Sequence, residues 1–426
     1  MTSEAISSGT AITPERAAAF LRDFATMSEF GATPAGGVDR QAAGEADIEQ
    51  RRWFAELLTA HGLRVQYDRI GNQFGLLDLN PGAPYVMVGS HMDSQPTAGR
   101  YDGAYGVLAA AHAAFVLANE WSESGKRPQY NVAVVNWFNE EGSRFVPSMM
   151  GSSVYTGVLA PETALATTDK DGVSVAEALA PTGFIDDSDG PRAAFCAEIH
   201  IEQGRLLENA GTAIGLVTAS WAAKKYVVTV EGDQAHSGAT VMEDRRDALY
   251  GAALLVVFAR ELADRFAGVL HTAVGQLDVY PNSPVVVASS TRLLLDLRSA
   301  DEAVLAEANR ILSDRFAEIE RIAKVTIHQT LSHEWGINPY QPEGVELARS
   351  SAERLGYSHD EILTVAGHDS TNMKKIVPTI MLFVPSVEGI SHNEREHTLD
   401  ENMLAGLDVL TDVVRRFAHG ELAPSS

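Results

Sequence analysis

The fold is decided by residues 85–121, YVMVGSHMDSQPTAGRYDGAYGVLAAAHAAFVLANEW. An apolar run of strand length ends at His91. It gives way to a polar, glycine-bearing loop, and then to an alanine-rich stretch of helical length. Similar runs occur in NVAVVNWFNEE (131–141), AFCAEIHIEQG (194–204) and TIMLFVPS (379–386). They are nearly continuous in apolar residues instead of alternating, which is the pattern of strands buried on both faces. Strand, loop and helix in succession define an α/β domain, and in such sheets the loops beyond the carboxyl ends of the strands form the ligand crevice.

Outward from these runs the pattern changes. Between about residues 217 and 332, KKYVVTVEG alternates, DRRDALYGAALLVVFARELADRF is helical, HTAVGQLDVYP and STRLLLDLRS read as strands, DEAVLAEANRILSDRFAEIERIAK is a long amphipathic helix and VTIHQTL is a strand. The order βαββαβ predicts a ferredoxin-like α+β domain inserted into the first. The expected division is therefore 1–216 and 333–426 for one domain and 217–332 for the insert, in keeping with 426 residues at ~100–200 residues per domain.

Composition narrows the function. Asp plus Glu outnumber Lys plus Arg by 57 to 33, a formal charge of −24, so the average surface repels nucleic acid and anionic membranes and neither is an expected partner. Cys196, the single cysteine, excludes an intrachain disulfide and any site built from several thiolates, and its place inside an apolar run predicts a core residue. A metal would need His and carboxylate ligands. The beginning, MTSEAISSGTAITPERAAAF, lacks the pattern of a secretory leader, and no window approaches the ~20 apolar residues of a spanning helix. A cytoplasmic protein is expected.

The polar residues that close the apolar runs carry the chemistry. His91 ends the first, and Asp102 stands at the mouth of the following helix. Neutral imidazole and carboxylate are both ligands for borderline divalent metals, and Asp93 is placed to orient the His91 ring. Glu140 and Glu141 close the second run, where an extended segment would point them in opposite directions. His200 ends the third run and His392 follows the fourth. Alone, a His-x-Asp, a Glu pair or one histidine is ordinary hydrogen bonding or solvated surface. Four strand ends each bearing a candidate ligand point instead to a pair of divalent cations shared through Asp102, with Glu140 free to act as general base for hydrolysis.

The motifs GSHMDSQPTAGRYDGAYGV, NEEGSRF, HIEQGRLLE, AHSGATVMEDRRDAL, AGHDS and VPSVEGISHNEREHT stand in the order found in the M20 metallopeptidase-like family. The sequence resembles its amidase, hydantoinase and carbamoylase branch, which includes N-carbamoyl-L-amino acid hydrolases, allantoate amidohydrolases and β-ureidopropionases. The resemblance implies a mixed-sheet dimetal aminopeptidase-like catalytic domain with an inserted dimerisation domain. By it His91, Asp102, Glu141, His200 and His392 match the ligands of two metal ions, zinc first, with manganese, cobalt or nickel as alternatives. Glu140 matches the catalytic base. His236 corresponds to a histidine that reaches the partner's active site in a homodimer and polarises the scissile carbonyl. Arg298 matches an arginine that clamps the carboxylate of a small-molecule substrate, and Gln203 and His368 match substrate-contacting positions.

One position departs from the pattern. Where related sequences carry an asparagine that faces substrate, this chain has Val285, in PNSPVVVASS. A site built around a substrate's polar group discriminates strongly when the partner is missing, so Val285 bears on the substrate and not on hydrolysis itself. The leading expectation is hydrolysis of a non-peptide C–N bond in a small N-carbamoyl or ureido acid, most directly an N-carbamoyl-L-amino acid. Allantoate hydrolysis is an alternative, as is an N-acyl amino acid hydrolase or dipeptidase, which an apolar wall at Val285 would suit. A non-catalytic binding protein is the alternative of another class, and the intact ligand and base set argues against it.

Overall fold

The structure is a computed structural model that describes residues 12–422; the first eleven residues, part of the segment searched for a leader, lie outside the described residues. The chain divides into two compact units. One takes in the chain through Thr218, Tyr340–Ile362 and the chain from Gly367 on; the other takes in Ala219–Pro339 and Leu363–Ala366.

The first unit is organised by a mixed sheet of nine described strands, seven of which run in the order Arg64–Tyr67, Gln73–Leu77, Asn131–Trp137, Tyr85–His91, Ala193–Ile201, Thr379–Val384, Ile214–Ser220. Its four central members are the four apolar runs. Tyr85–His91 lies parallel to both Asn131–Trp137 and Ala193–Ile201, and Thr379–Val384 lies parallel to Ala193–Ile201. Because side chains alternate across a strand, each run feeds two cores. Val86, Val88, Val132, Val134, Phe195, Ala197 and Ile199 face one cluster, while Met87, Ala133, Val135 and Cys196 face another. Cys196 is thus a core residue, as its setting predicted.

Helices Ala104–Ser124, Asp400–Ala418 and Pro14–Met27 contribute to the first cluster. The alanine-rich sequence of Ala104–Ser124 lets its axis come close to the sheet. At Gly106 an added Cβ would stand 2.1 Å from the carbonyl oxygen of Ile199, so a side chain there would push helix and strand apart.

The second unit is a four-stranded antiparallel sheet in the order Thr326–Trp335, Ala222–Glu231, Ser290–Ser299, Leu270–Tyr280, with helices Ala248–Arg265 and Glu302–Ala323. Leu255, Phe258, Leu293, Leu295, Leu297 and Leu312 lie in its core. The period of two on Ser290–Ser299 buries Leu293, Leu295 and Leu297 and puts Asp296 and Arg298 on the opposite face. The last strand runs on to Trp335, past the expected limit at 332. Its pairing with Ala222–Glu231 shifts register between Leu331 and His333, so the polar Ser332 marks a bulge where the sequence suggested an end. No described helix is long and apolar enough to cross a membrane.

Replacing Gly106 by Val is expected to lower the stability of the first unit by about 2–3 kcal/mol, the cost of overpacking a close helix–strand contact. Gly275→Ala, where an added Cβ meets nothing within 4 Å, serves as the reference in the same urea-unfolding series.

Candidate metal centre

Parallel register brings the candidate ligands to one edge of the sheet. His91 pairs with Trp137, and His200 pairs with Phe383. The loops that carry Glu140, Glu141 and His392 therefore leave from the same side on which His91 and His200 end. Asp102 arrives from the turn before the helix, where Gly103 adopts φ +62 and a Cβ would stand 2.4 Å from the His91 ring. Only a residue without a side chain fits there.

Asp102 lies at the centre. Its Oδ1 is 3.0 Å from Nε2 of His200 and 3.5 Å from Nε2 of His91, while its Oδ2 is 3.2 Å from Nε2 of His392. His392 Nε2 is in turn 3.5 Å from Glu141. Two donor groups result, His91, Asp102 and His200 on one side and Asp102, Glu141 and His392 on the other, each with its ligand atoms within 4.8 Å of one another. Glu140 reaches the first group, with Oε2 3.5 Å from His91 Nε2.

The two inner histidines are held by their other ring nitrogens. Nδ1 of His91 bonds the carbonyl oxygen of Asp93 at 3.0 Å, and Nδ1 of His200 bonds that of Ile201 at 2.9 Å. With the proton on Nδ1, each Nε2 presents a lone pair. The His200 lone pair accepts from the Gly103 N–H at 2.9 Å, a bond that a cation would exchange. In the neutral ring the His91 lone pair faces carboxylate oxygens of Asp102 and Glu140, so acceptor atoms converge and a positive charge, a proton or a cation, has to lie among them. A divalent cation satisfies that arrangement, and imidazole with carboxylate is a suitable donor set for it.

Charge tells the same story. Burial opposes ionisation of Asp102, but His200 first, then His392 and His91, override it and hold the acid well below the usual carboxylate range. Burial also opposes a charged His91 ring, yet Glu140, Asp102 and Asp93 outweigh it and raise that pKa well above the ordinary histidine value. Glu140 is pushed well above the usual range by burial, with Asp369, Glu141 and Asp93 adding to it and His91 opposing, and Glu141 is pushed up to about 7 by burial and by Asp102. Bound cations would favour the ionised carboxylates instead.

One local expectation is refined and another corrected. Asp93 meets the His91 ring chiefly through its backbone oxygen, with a carboxylate oxygen 3.6 Å from the same Nδ1, and that carboxylate also accepts the N–H groups of Glu140 at 3.1 Å and Glu141 at 3.2 Å. The Glu pair is not extended. Asn139 sits at φ +51, a conformation its amide supports by donating to the carbonyls of Phe145 and Pro147, and the resulting turn brings both glutamates to the centre.

Other expected residues divide between the units. Gln203 donates from Nε2 to Asp102 Oδ2 at 2.7 Å, while its buried Oε1 has no hydrogen-bond partner among the described residues. His368 packs its ring 4.6 Å from that of His200. His236 and Arg298 belong to the second unit. There Nδ1 of the exposed His236 accepts from the N–H groups of Gly238 and Ala239, which leaves Nε2 to carry the proton as an outward donor. Val285 stands in the turn just before Val286–Val287, the short strand that pairs with Ala235–His236; its carbonyl accepts from the Ser237 N–H and its side chain is exposed. Arg298 bonds Asp296 at 2.7 and 2.9 Å and the carbonyl of Val365 at 2.7 Å. Gln95, which donates to Glu141 at 3.0 Å, and Glu396, which accepts from the N–H groups of Tyr101 and Asp102, have no local sequence signal.

Three imidazoles and two carboxylates gathered at the ends of parallel strands are the equipment of a metal-dependent hydrolase. The chain belongs to the peptidase family M20/M25/M40, whose sequence pattern it matches over residues 87–416. It is 56% identical to a putative hydrolase of Mycolicibacterium smegmatis, over 95% of this chain and 93% of that one. It is 35% identical to an N-carbamoyl-L-amino-acid amidohydrolase of Rhizobium meliloti, over 91% and 93%. Among solved structures it is similar to an amidase of the hydantoinase/carbamoylase family from Burkholderia vietnamiensis, with TM-score 0.90 and 35% identity over 95% of this chain and 98% of that one.

Asp93→Ala, which frees the two glutamate N–H groups, is expected to weaken divalent-metal retention by about 10–100-fold. Competition against a chromogenic chelator measures it.

Proposed function

We propose that the protein is a binuclear amidohydrolase that cleaves a non-peptide C–N bond in a small N-carbamoyl or ureido acid, with an N-carbamoyl-L-amino acid as the leading substrate. The observation that carries the reading is Asp102, a buried carboxylate whose two oxygens face two separate donor groups. The amidohydrolase names of full-length relatives support the reaction class.

In this reading His91, Asp102 and His200 hold one divalent cation and Asp102, Glu141 and His392 a second, zinc first. When bound, the pair supplies a Lewis acid for the scissile carbonyl and lowers the pKa of water. Glu140 takes the proton of the attacking water and delivers it to the leaving nitrogen. The C–N bond breaks, the amino acid departs, and the carbamate decomposes to ammonia and carbon dioxide. The buried Oε1 of Gln203, which meets no donor among the described residues, accepts from a substrate N–H, while its Nε2 keeps Asp102 in place. On the family's pattern, His368 contacts substrate, Arg298 takes the substrate carboxylate and the Nε2–H of His236 serves the oxyanion in a second copy of the chain. Such a fixed donor is matched to charge that develops during reaction.

A panel of N-carbamoyl, formyl, acetyl and dipeptide derivatives, with allantoate, tests the substrate class on zinc-loaded protein. Carbamoyl or ureido acids should turn over fastest; preference for acetyl derivatives or dipeptides would transfer the assignment to an acylase or peptidase, to which the apolar Val285 is suited. Glu140→Gln should lower kcat by about 10²–10⁴-fold, the share of a general base, at unchanged metal content. Full activity in that variant would remove Glu140 from the mechanism.

A further inference from the structure

The two donor groups are not equally supported. His91 and His200 are each about 1% exposed and each is braced by a ring-to-carbonyl bond, whereas the side chain of His392 is 49% exposed and has no such bond among the described residues. His392 also sits at φ +52, a backbone conformation that a non-glycine residue keeps only when its surroundings impose it. A neighbour in sequence bonds the residue before it. Glu396 is 5% exposed, and its Oε1 accepts from the N–H groups of Tyr101 at 3.0 Å and Asp102 at 3.1 Å. Its Oε2 is 2.8 Å from the hydroxyl of Ser391, the residue before His392, and that hydroxyl is 3.0 Å from Asp102 Oδ2. Nε2 of Gln203 donates to the same hydroxyl at 3.1 Å.

We propose that Glu396 is a positioning residue for the second cation: it ties the loop of His392 to the turn of Asp102 and so sets the geometry of the Asp102, Glu141 and His392 group without touching the ion. This rests on the two-cation reading above. Removing the tie loosens Asp102, which both groups share, but leaves the other two ligands of the first group, His91 and His200, fixed by their own strands, so the second group, which also loses its hold on the His392 loop, is weakened more. The loop has further anchors in Gln203 on the Ser391 hydroxyl, the Tyr101 hydroxyl with Nδ1 of His397, and the Thr33 hydroxyl on Glu394; of these three only Gln203 also bonds the Asp102 carboxylate. The cradle is also sterically tight, since a Cβ at Gly99 would fall 2.0 Å from Glu396 Oε1.

The chemistry of the tie separates two substitutions. In Glu396→Gln the amide oxygen still accepts both N–H groups, and the amide NH₂ donates to the Ser391 oxygen, which frees the hydroxyl proton for Asp102. In Glu396→Ala both links are lost. The full chain is loaded with zinc, dialysed against metal-free buffer and analysed for zinc per chain by mass spectrometry, with zinc affinities from calorimetric titration. Circular dichroism and thermal melting of the metal-free proteins report on folding.

The wild type and Glu396→Gln should retain two zinc ions. Glu396→Ala and Gly99→Ala should retain one, with affinity for the second ion reduced by about 10–100-fold. Retention of both ions by Glu396→Ala, equal loss in Gln and Ala variants, or equal weakening of both ions would overturn the proposal. If Glu396→Ala does not fold, Ser391→Ala, which removes only the hydroxyl link, replaces it: weakening of the second ion alone supports the proposal, and unchanged binding overturns it. A wild type that takes up fewer than two ions would refute the two-cation reading itself, and this inference with it.

Discussion

A single buried carboxylate, that of Asp102, has to face two donor groups at once, and much of the first unit is arranged around that demand. Moving an ionised carboxylate out of water is costly unless opposite charge or hydrogen bonds meet it. Here three imidazoles, an amide of Gln203 and the hydroxyl of Ser391 surround its oxygens. The Gly103 turn admits the His91 ring, and Glu396 holds the peptide of Asp102 from behind. These neighbours come from stretches of chain far apart in sequence, around residues 91, 200 and 391, so the centre exists only in the folded state.

The sheet makes this convergence inexpensive in conformational terms. Parallel strands end on the same side, and strands buried on both faces have little freedom to slip, because a one-residue shift would exchange one core for the other. His91 and His200 thus inherit their positions from the packing of Val86, Val88, Ala197 and Ile199. The loops add what strands cannot: Asn139 at positive φ turns two successive glutamates toward one centre. Strain of this kind is concentrated where the chain has a task to perform.

How much of this was legible in the sequence follows from the same physics. A polar residue at the end of an apolar run is conspicuous, so His91, His200 and the Glu pair could be found from pattern alone. The βαββαβ order was legible because its periods switch cleanly between two and helical spacing. The direction of Glu140 and Glu141 was not, since it depends on one left-handed residue whose amide bonds a loop several residues on. Asp93 was found beside the His91 ring, but the bond from its carbonyl and the hold of its carboxylate on the two glutamate N–H groups were not. Glu396 and Gln95 are invisible locally, because the Tyr101 and Asp102 N–H groups that one accepts and the Glu141 carboxylate that the other donates to lie far away along the chain and no period marks them. The parts given to His236 and Arg298 come from resemblance to the family, to which the structure adds the outward Nε2–H of one and the Asp296 pairing of the other.

The strand order has a consequence for how the chain assembles on the ribosome. Thr379–Val384 lies between Ala193–Ile201 and Ile214–Ser220, two strands synthesised long before it. Until it emerges, the nascent sheet has a gap at its middle with unpaired, apolar edges, which are sticky toward other chains. The continuous segment Ala222–Trp335 can complete its own antiparallel sheet in that interval. Chaperone dependence and aggregation during overexpression should therefore track the delay before this last central strand arrives.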